Sequence, residues 1–375
     1  MKKILVFIGG YLPGYKYGGA LRSLVNLVNL LGDEFEFYIV CADRDLGNTT
    51  AYKNIKLNEW NQVGKAKVWY LPFGKFSFNA IYKLTRNCDV IYSCGFFEPY
   101  CYKTLILQKL GVLKHTRIVV ASMGVFSPGA LAIKKRKKSV FIMLCKLLKL
   151  TQHVVWSVSS NVERREVECQ IGKNAVCIVA QDISDVKIKI PPKTDSNELQ
   201  VVFLSRISPK KNLIAAIKAL MHLNIKVNFS IYGPKEDLNY WKKCLVFLSQ
   251  LPSNIKWKYN GEVFHDDVSS VFARNDLFLF PTLGENHGHV VIEALAAGCV
   301  PVISDLTPWQ CIAETDSGYV LSLSENMANF AAAISEFAMK PLEERQKMSV
   351  NARSLAKKVI TEAKKCIGYK KIFNL

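Results

Sequence analysis

The first half of the chain alternates short apolar runs with stretches of helical spacing. Ile4–Ile8 is an unbroken apolar run. Leu21, Leu24, Val25, Val28 and Leu31 then recur at the intervals of one helix face. Phe37–Cys41, Val68–Leu71, Val90–Ser93 and Arg117–Ser122 read as further strands. Continuous apolar runs belong to strands covered on both sides, and their alternation with helices predicts a parallel sheet between helical layers. The pattern stops between Ser184 and Glu198, where Pro191-Pro192 and the polar residues after them suggest a linker. It restarts with a strand at Leu199–Leu204, a helix at Leu213–Leu223 and a strand at Lys226–Tyr232, which ends at Gly233-Pro234. Strands at Leu277–Phe280 and Val300–Ser304 follow, and the tail from Leu342 to Phe373 has helical spacing. There is no internal repeat. The expected fold class is α/β, with two parallel-sheet domains that face a cleft: residues 1–185, a linker at 186–198, and residues 199–354. In such sheets ligands meet the carboxyl ends of the strands.

A length of 375 residues with half of them apolar is enough for two such cores. The eleven cysteines are scattered singly without a CxxC pair, which reads as reduced thiols and not as a zinc site or a disulfide framework. Met1–Ile8 looks like the start of a secretion signal, but its apolar run ends at Gly9-Gly10, so a buried first strand is the better reading. No segment has the ~18 uninterrupted apolar residues that span a bilayer.

Charge changes the picture. The formal net charge is +19, and no Asp or Glu occurs from Pro99 to Val162. At the centre of that stretch, Lys134, Lys135, Arg136, Lys137 and Lys138 lead into an apolar run punctuated by Lys146 and Lys149. This composition suits a helix lying on an anionic membrane surface. A core helix with a basic solvent face is the alternative. Nucleic acid is a third reading that no RNA- or DNA-binding signature supports.

The densest chemistry lies in Pro281-Thr282-Leu283-Gly284-Glu285-Asn286-His287-Gly288-His289, where a strand runs through a glycine-containing loop into a helix expected from about His287 to Gly298. A helix N-terminus approached by glycines is an anion site, because unpaired N–H groups and the helix dipole point the same way. Glu285 and Glu293, eight positions apart, would repel a phosphate and are suited to accept hydrogen bonds from hydroxyls. A nucleotide sugar offers phosphates and hydroxyls together. In Ser205-Arg206-Ile207-Ser208-Pro209-Lys210-Lys211, Ser208 before Pro209 is a helix start, and lysines in a first turn oppose the dipole unless an anion is bound there. Arg206 and Lys211 could then clamp a diphosphate; a pair of surface lysines is the plainer alternative. Gly18-Gly19 open the first helix without forming a dinucleotide fingerprint, and a flexible turn explains them about as well as a ligand.

Glu285-x7-Glu293, the following Ala294-Leu295-Ala296-Ala297-Gly298 and the Arg206-x4-Lys211 pair together resemble the retaining glycosyltransferases of family 4, with the GT-B fold of two Rossmann-like domains. The resemblance is specific over about Val201 to Trp309 and is weaker before that. It implies an acceptor-binding N-terminal domain, a nucleotide-sugar-binding C-terminal domain, and a terminal helix, about 355–375, that packs back on the first domain. It also implies roles. Arg206 and Lys211 would neutralise the donor diphosphate, with Asn286, His287, Gly288 and His289 around it. Glu293 would hold the ribose and Glu285 the transferred sugar. Gly233, Glu262 and Val263 would border the base, and Gly18 and Gly19 would approach from the first domain. Arg206, Lys211 and Glu285 would carry catalysis without a metal or cofactor, on a UDP- or GDP-sugar. The implied activity is transfer to a lipid-linked glycan in cell-surface polysaccharide assembly (O-antigen, capsule or exopolysaccharide), by a cytoplasmic protein held peripherally at the membrane. A sugar-nucleotide epimerase on the same architecture and a non-catalytic basic membrane binder are the rival readings. One departure stands out: the histidine that many relatives carry after the strand matching Arg117–Ser122 is absent from Ser122-Met123-Gly124-Val125-Phe126. Ser122 or the backbone near Gly124 could take its place.

Overall fold

The computed structural model describes residues 1–113, 115–184, 186 and 198–374. Apart from its two ends, Val186 and Glu198, the expected linker therefore lies outside the described residues. The chain divides into two compact units. One comprises Met1–Ser184 with Ala363–Leu375, and the other Asp185–Glu362.

The first unit holds β1 (Lys3–Phe7), β2 (Glu36–Ala42), β3 (Trp60–Val63), β4 (Ala66–Leu71), β5 (Val90–Cys94), β6 (Arg117–Ala121), β7 (Val154–Val158) and β8 (Val176–Val179). They form one sheet in the order β3-β4-β2-β1-β5-β6-β7-β8, parallel throughout except for β3 against β4. All five residues of β5 are buried, as a strand between two helical layers requires. β3 escaped the periodicity reading because it is a half-exposed edge strand. It is held by Trp60, whose ring sits edge-on to Trp69 at 5.3 Å.

The second unit holds β9 (Leu199–Leu204), β10 (Val227–Tyr232), β11 (Ile255–Tyr259), β12 (Leu277–Phe280), β13 (Val300–Ser304) and β14 (Tyr319–Leu321), in the all-parallel order β11-β10-β9-β12-β13-β14. This is the doubly wound order, which reverses between β9 and β12. Loops leaving those two strands diverge and open a crevice at their carboxyl ends. β11 was not legible in the sequence because, as an edge strand, it buries only Ile255 and alternates lysines with aromatics.

The C-terminal tail is two helices, Leu342–Lys364 and Ile367–Asn374, broken at Cys366 with φ +53°. The expected return to the first unit begins later than about residue 355. Leu355, Ala356 and Ile360 belong to the core of the second unit. The second helix lies in the first, where the Phe373 ring packs 5.3 Å from Phe35 and 5.9 Å from both Phe37 and Tyr92. The eleven cysteines are free and mostly buried. Among the described residues no helix is long and apolar enough to cross a membrane.

Candidate active site at the β9–β12 switch point

The loop after β12 is suspended from its neighbours. Ser304, at the end of β13, donates from its buried hydroxyl to the Thr282 carbonyl at 2.6 Å. The Glu285 N–H donates to Leu306 O at 3.2 Å. On the other side, the Leu283 N–H donates to Lys210 O at 2.9 Å, and the Asn212 amide to Pro281 O at 3.0 Å. The 3-10 turn Pro209–Lys211 that follows β9 is thereby fastened to the loop after β12. Two segments 69 to 73 residues apart in sequence form one surface because their strands are the central neighbours of the sheet.

This brings two of the sequence candidates together. The Lys211 ammonium pairs with the Glu285 carboxylate, and both side chains are only 11% exposed. The fully buried Thr282 places its hydroxyl 3.1 Å from the same carboxylate. Lys211 also lies 5.6 Å from the centroid of the Phe280 ring. A cation and an anion held this far from water each need the other, or a ligand that supplies the same charge. Arg206 is placed differently. Its guanidinium bonds Glu236 at 2.7 Å, and both side chains are about half exposed.

The helix expected to begin near His287 begins at His289 and runs to Ala297. Gly288 is its N-cap at φ +78°, a left-handed conformation that glycine adopts at little cost. A Cβ at Gly288 would also meet the Trp309 indole nitrogen at 3.1 Å. No acidic residue lies in the first turn itself; the nearest carboxylate placed here is that of Glu285, in the loop before it. His289 and Glu293 are four residues apart and share a face, which puts Glu293 about one turn from that end. His287 is buried, its ring 4.6 Å from that of His289, and its carbonyl accepts the Trp309 indole N–H at 2.6 Å. The His287 carbonyl is thus tied to the fold.

Burial pushes the His287 imidazole from 6.5 down to about 4. The folded protein therefore favours the neutral ring, and the unfolded chain binds the proton more readily. Stability from this group is complete above about pH 6.5 and is lost as the pH falls from there towards 4. The expected loss by pH 5 is about 2 kcal/mol. Urea denaturation of wild type and His287→Gln at pH 7.5 and pH 5 checks this. The difference between the two pH values should shrink in the variant, and an equal difference in both would remove His287 as its source.

At the far side of β9, Gly233 follows β10 at φ +130°, and its N–H donates to Gly261 O at 2.8 Å. Tyr259 donates its hydroxyl to Gly233 O at 2.9 Å. Glu262 and Val263 follow Gly261 directly, the first exposed and the second half-buried. Gly233, Glu262 and Val263 therefore share one corner beside Arg206. Thr282, Ser304, Trp309 and Glu236 also shape the site. Sequence reasoning missed them because none belongs to a spacing pattern and each acts through a contact made only on folding.

Residues 186–355 match the Glycosyl transferases group 1 family. The chain carries a Glycosyl transferases group 1 domain. That domain contains Arg206, Lys211, Gly233, Glu262, Val263, Glu285, His287, Gly288, His289 and Glu293. The chain is 24% identical over 237 residues to the gpi3 subunit of phosphatidylinositol N-acetylglucosaminyltransferase from Schizosaccharomyces pombe, a match that covers 60% of this chain and 48% of the relative. The chain spans about half to three fifths of the length of the curated relatives it matches. Over its whole length its fold matches that of sucrose-phosphate synthase from Thermosynechococcus elongatus, with a TM-score of 0.76, 14% identity and full coverage of both chains. It also matches Anabaena Alr3699/HepE, solved with UDP-glucose, at a TM-score of 0.71, 16% identity and full coverage of both. The fold of the two parallel-sheet units is that of the GT-B glycosyltransferases.

The remaining candidates lie outside the group 1 domain, in the first unit. Gly18 is the N-cap of the helix Gly19–Leu31 at φ +67°, with open space around the position of a Cβ. Ser122, at the place of the missing histidine, is fully buried. Its hydroxyl donates to Glu163 at 2.7 Å, and Glu163 also accepts the Gly124 N–H at 2.6 Å and the Ser159 N–H at 2.6 Å. Ser122 is thus committed to holding this loop. The basic run begins the helix Lys135–Leu147, with Lys134 as its N-cap, but its five cations do not act alike. Lys138 turns inward, donating to Ala130 O at 2.7 Å and lying 5.1 Å from the centroid of Phe97. Among the described residues no group of three or more His, Cys, Asp or Glu side chains is arranged to hold a metal ion.

Proposed function

We propose that this protein is a retaining glycosyltransferase that moves a sugar from a UDP- or GDP-sugar to a lipid-linked glycan in cell-surface polysaccharide assembly. It does so without a metal, at the cytoplasmic face of a membrane. The observation that carries the reading is the Lys211–Glu285 pair beside the N-terminus of the helix His289–Ala297. A diphosphate bonded to the first-turn N–H groups would draw Lys211 and Arg206 to itself. Glu285 would be released to accept hydrogen bonds from the transferred sugar, and Glu293 to hold the ribose. Both cations carry a carboxylate partner, Glu285 and Glu236, so donor binding exchanges one anion for another and exposes no bare charge.

In the chemical step the anomeric carbon–oxygen bond to the diphosphate breaks. The acceptor hydroxyl attacks from the same face, and its proton passes to the departing phosphate oxygen. Arg206 and Lys211 stabilise the charge that grows on the leaving group. Alignment of the acceptor and exclusion of water supply the rest. The Anabaena neighbour was solved with UDP-glucose, and the fission-yeast relative is named for transfer involving phosphatidylinositol; both agree with a nucleotide-sugar donor and a lipid acceptor.

Thermal unfolding in the presence of UDP, GDP and their sugar conjugates tests the reading. One nucleotide should raise the midpoint, and Glu293→Ala should abolish that shift. Arg206→Ala should lower turnover about a hundredfold or more. Its half-exposed partner limits the stability loss to about 1 kcal/mol. Equal losses of turnover and stability would remove Arg206 from catalysis, and no stabilisation by any nucleotide would remove the donor site.

A further inference from the structure

Only the inward side of the basic helix Lys135–Leu147 is used by the fold. Ile142 and Cys145 are buried there, and Phe141 packs between Phe96 at 5.3 Å and Phe97 at 5.6 Å. Val140, Met143, Leu144 and Leu147 fall on the opposite side. At 3.6 residues per turn these positions form one continuous stripe. They are 51%, 58%, 45% and 74% exposed. A soluble helix normally presents polar residues on that side, so a two-turn apolar stripe in water has an occupant. The same periodicity puts Arg136 and Lys137 at the N-terminal end of the stripe, both exposed, with Lys135 and Lys146 along one flank.

We propose that this stripe inserts into the interfacial layer of an anionic lipid bilayer, with Arg136 and Lys137 against the headgroups. This deepens the lipid-acceptor part of the reading above by naming the surface that meets the bilayer. Apolar area and unopposed positive charge on one face are the two contributions that hold an interfacial helix, and the second is salt-dependent. No acidic residue lies between Pro99 and Val162 to offset it. A second copy of the chain would bring two such basic faces together, so like-charge repulsion opposes self-association through the stripe. The assignment also narrows the basic run to those cations that face outward with the stripe, because Lys138 is spent on Ala130 and Phe97.

The test is sedimentation of the full chain with phosphatidylcholine vesicles, with and without one quarter phosphatidylglycerol. Wild type should bind the anionic vesicles and not the neutral ones. L144Q/L147Q and R136Q/K137Q should each weaken binding about tenfold or more, whereas Lys138→Gln should not. The added indole of L147W, read as the difference from wild type, should be quenched by brominated acyl chains. All variants should keep the nucleotide-induced thermal shift, and Glu293→Ala should keep vesicle binding, so failure of the donor site and failure of the docking surface are distinguishable. Undiminished binding by L144Q/L147Q, or an unquenched indole, would overturn the proposal. A wild-type dimer that L144Q/L147Q dissolves, without any vesicle binding, would do the same and assign the stripe to self-association.

Discussion

Lys211→Ala is expected to abolish transfer and also to weaken the fold, a double effect that Arg206→Ala should lack. Removing the ammonium leaves Glu285, whose side chain is only 11% exposed in the intact protein, beside the Thr282 hydroxyl and without its cation. Breaking such a pair from one side costs about 3–5 kcal/mol, most of it the penalty for the charge left behind. Transfer should fall about a thousandfold, because the same lysine is assigned to the leaving diphosphate. The double variant Lys211→Met/Glu285→Gln separates the two effects. With neither charge buried, urea denaturation should recover most of the lost stability while transfer stays absent. Recovery of transfer along with stability would mean that the pair is only structural.

Gly233→Ala should be the most damaging small substitution in the second unit. A Cβ built there lies 1.9 Å from Ser205 O and 2.6 Å from Ser205 C. Both are backbone atoms at the end of β9, so no side-chain rotation relieves the clash. At φ +130° the backbone is already in a region that favours glycine. The expected cost is about 3 kcal/mol or more, with loss of nucleotide-induced stabilisation, since the shift required falls next to Arg206. Gly261→Ala is the control. It has φ +82° with nothing within 4 Å of the Cβ, and conformation alone should cost about 1 kcal/mol. Urea denaturation and a nucleotide titration of both variants check the prediction. Similar costs at the two positions would show that the clash at Gly233 is relieved cheaply.

Most central strands were legible in the sequence because burial on both faces gave them an apolar run; Val154–Val158, central and nearly all buried, was not read. Leu277–Phe280 and Val300–Ser304 were read to the residue, and both are wholly buried. Edge strands were not legible, because an edge needs burial on fewer sides and tolerates the lysines of Ile255–Tyr259. The glycine-rich loop and its two glutamates stood out as a motif, since a strand, a left-handed cap and a helix N-terminus need those residue types in that order. The partners that hold the loop did not. Ser304, Trp309 and Thr282 act through tertiary contacts that leave no spacing in the chain.

By itself the sequence determined the α/β class, the two sheets, a helix N-terminus approached by glycines and the set of charged residues available for chemistry. Each follows from local periodicity or from the conformational demands of single residues. Tertiary structure alone decided which charges meet. Lys211 finds Glu285 because β9 and β12 are neighbours at the reversal of strand order, while Arg206 finds Glu236 across the turn after β10. It also decided that Lys138 turns inward while Val140, Met143, Leu144 and Leu147 face outward. Helical spacing identifies the two faces of that helix, and only packing determines which one the protein buries.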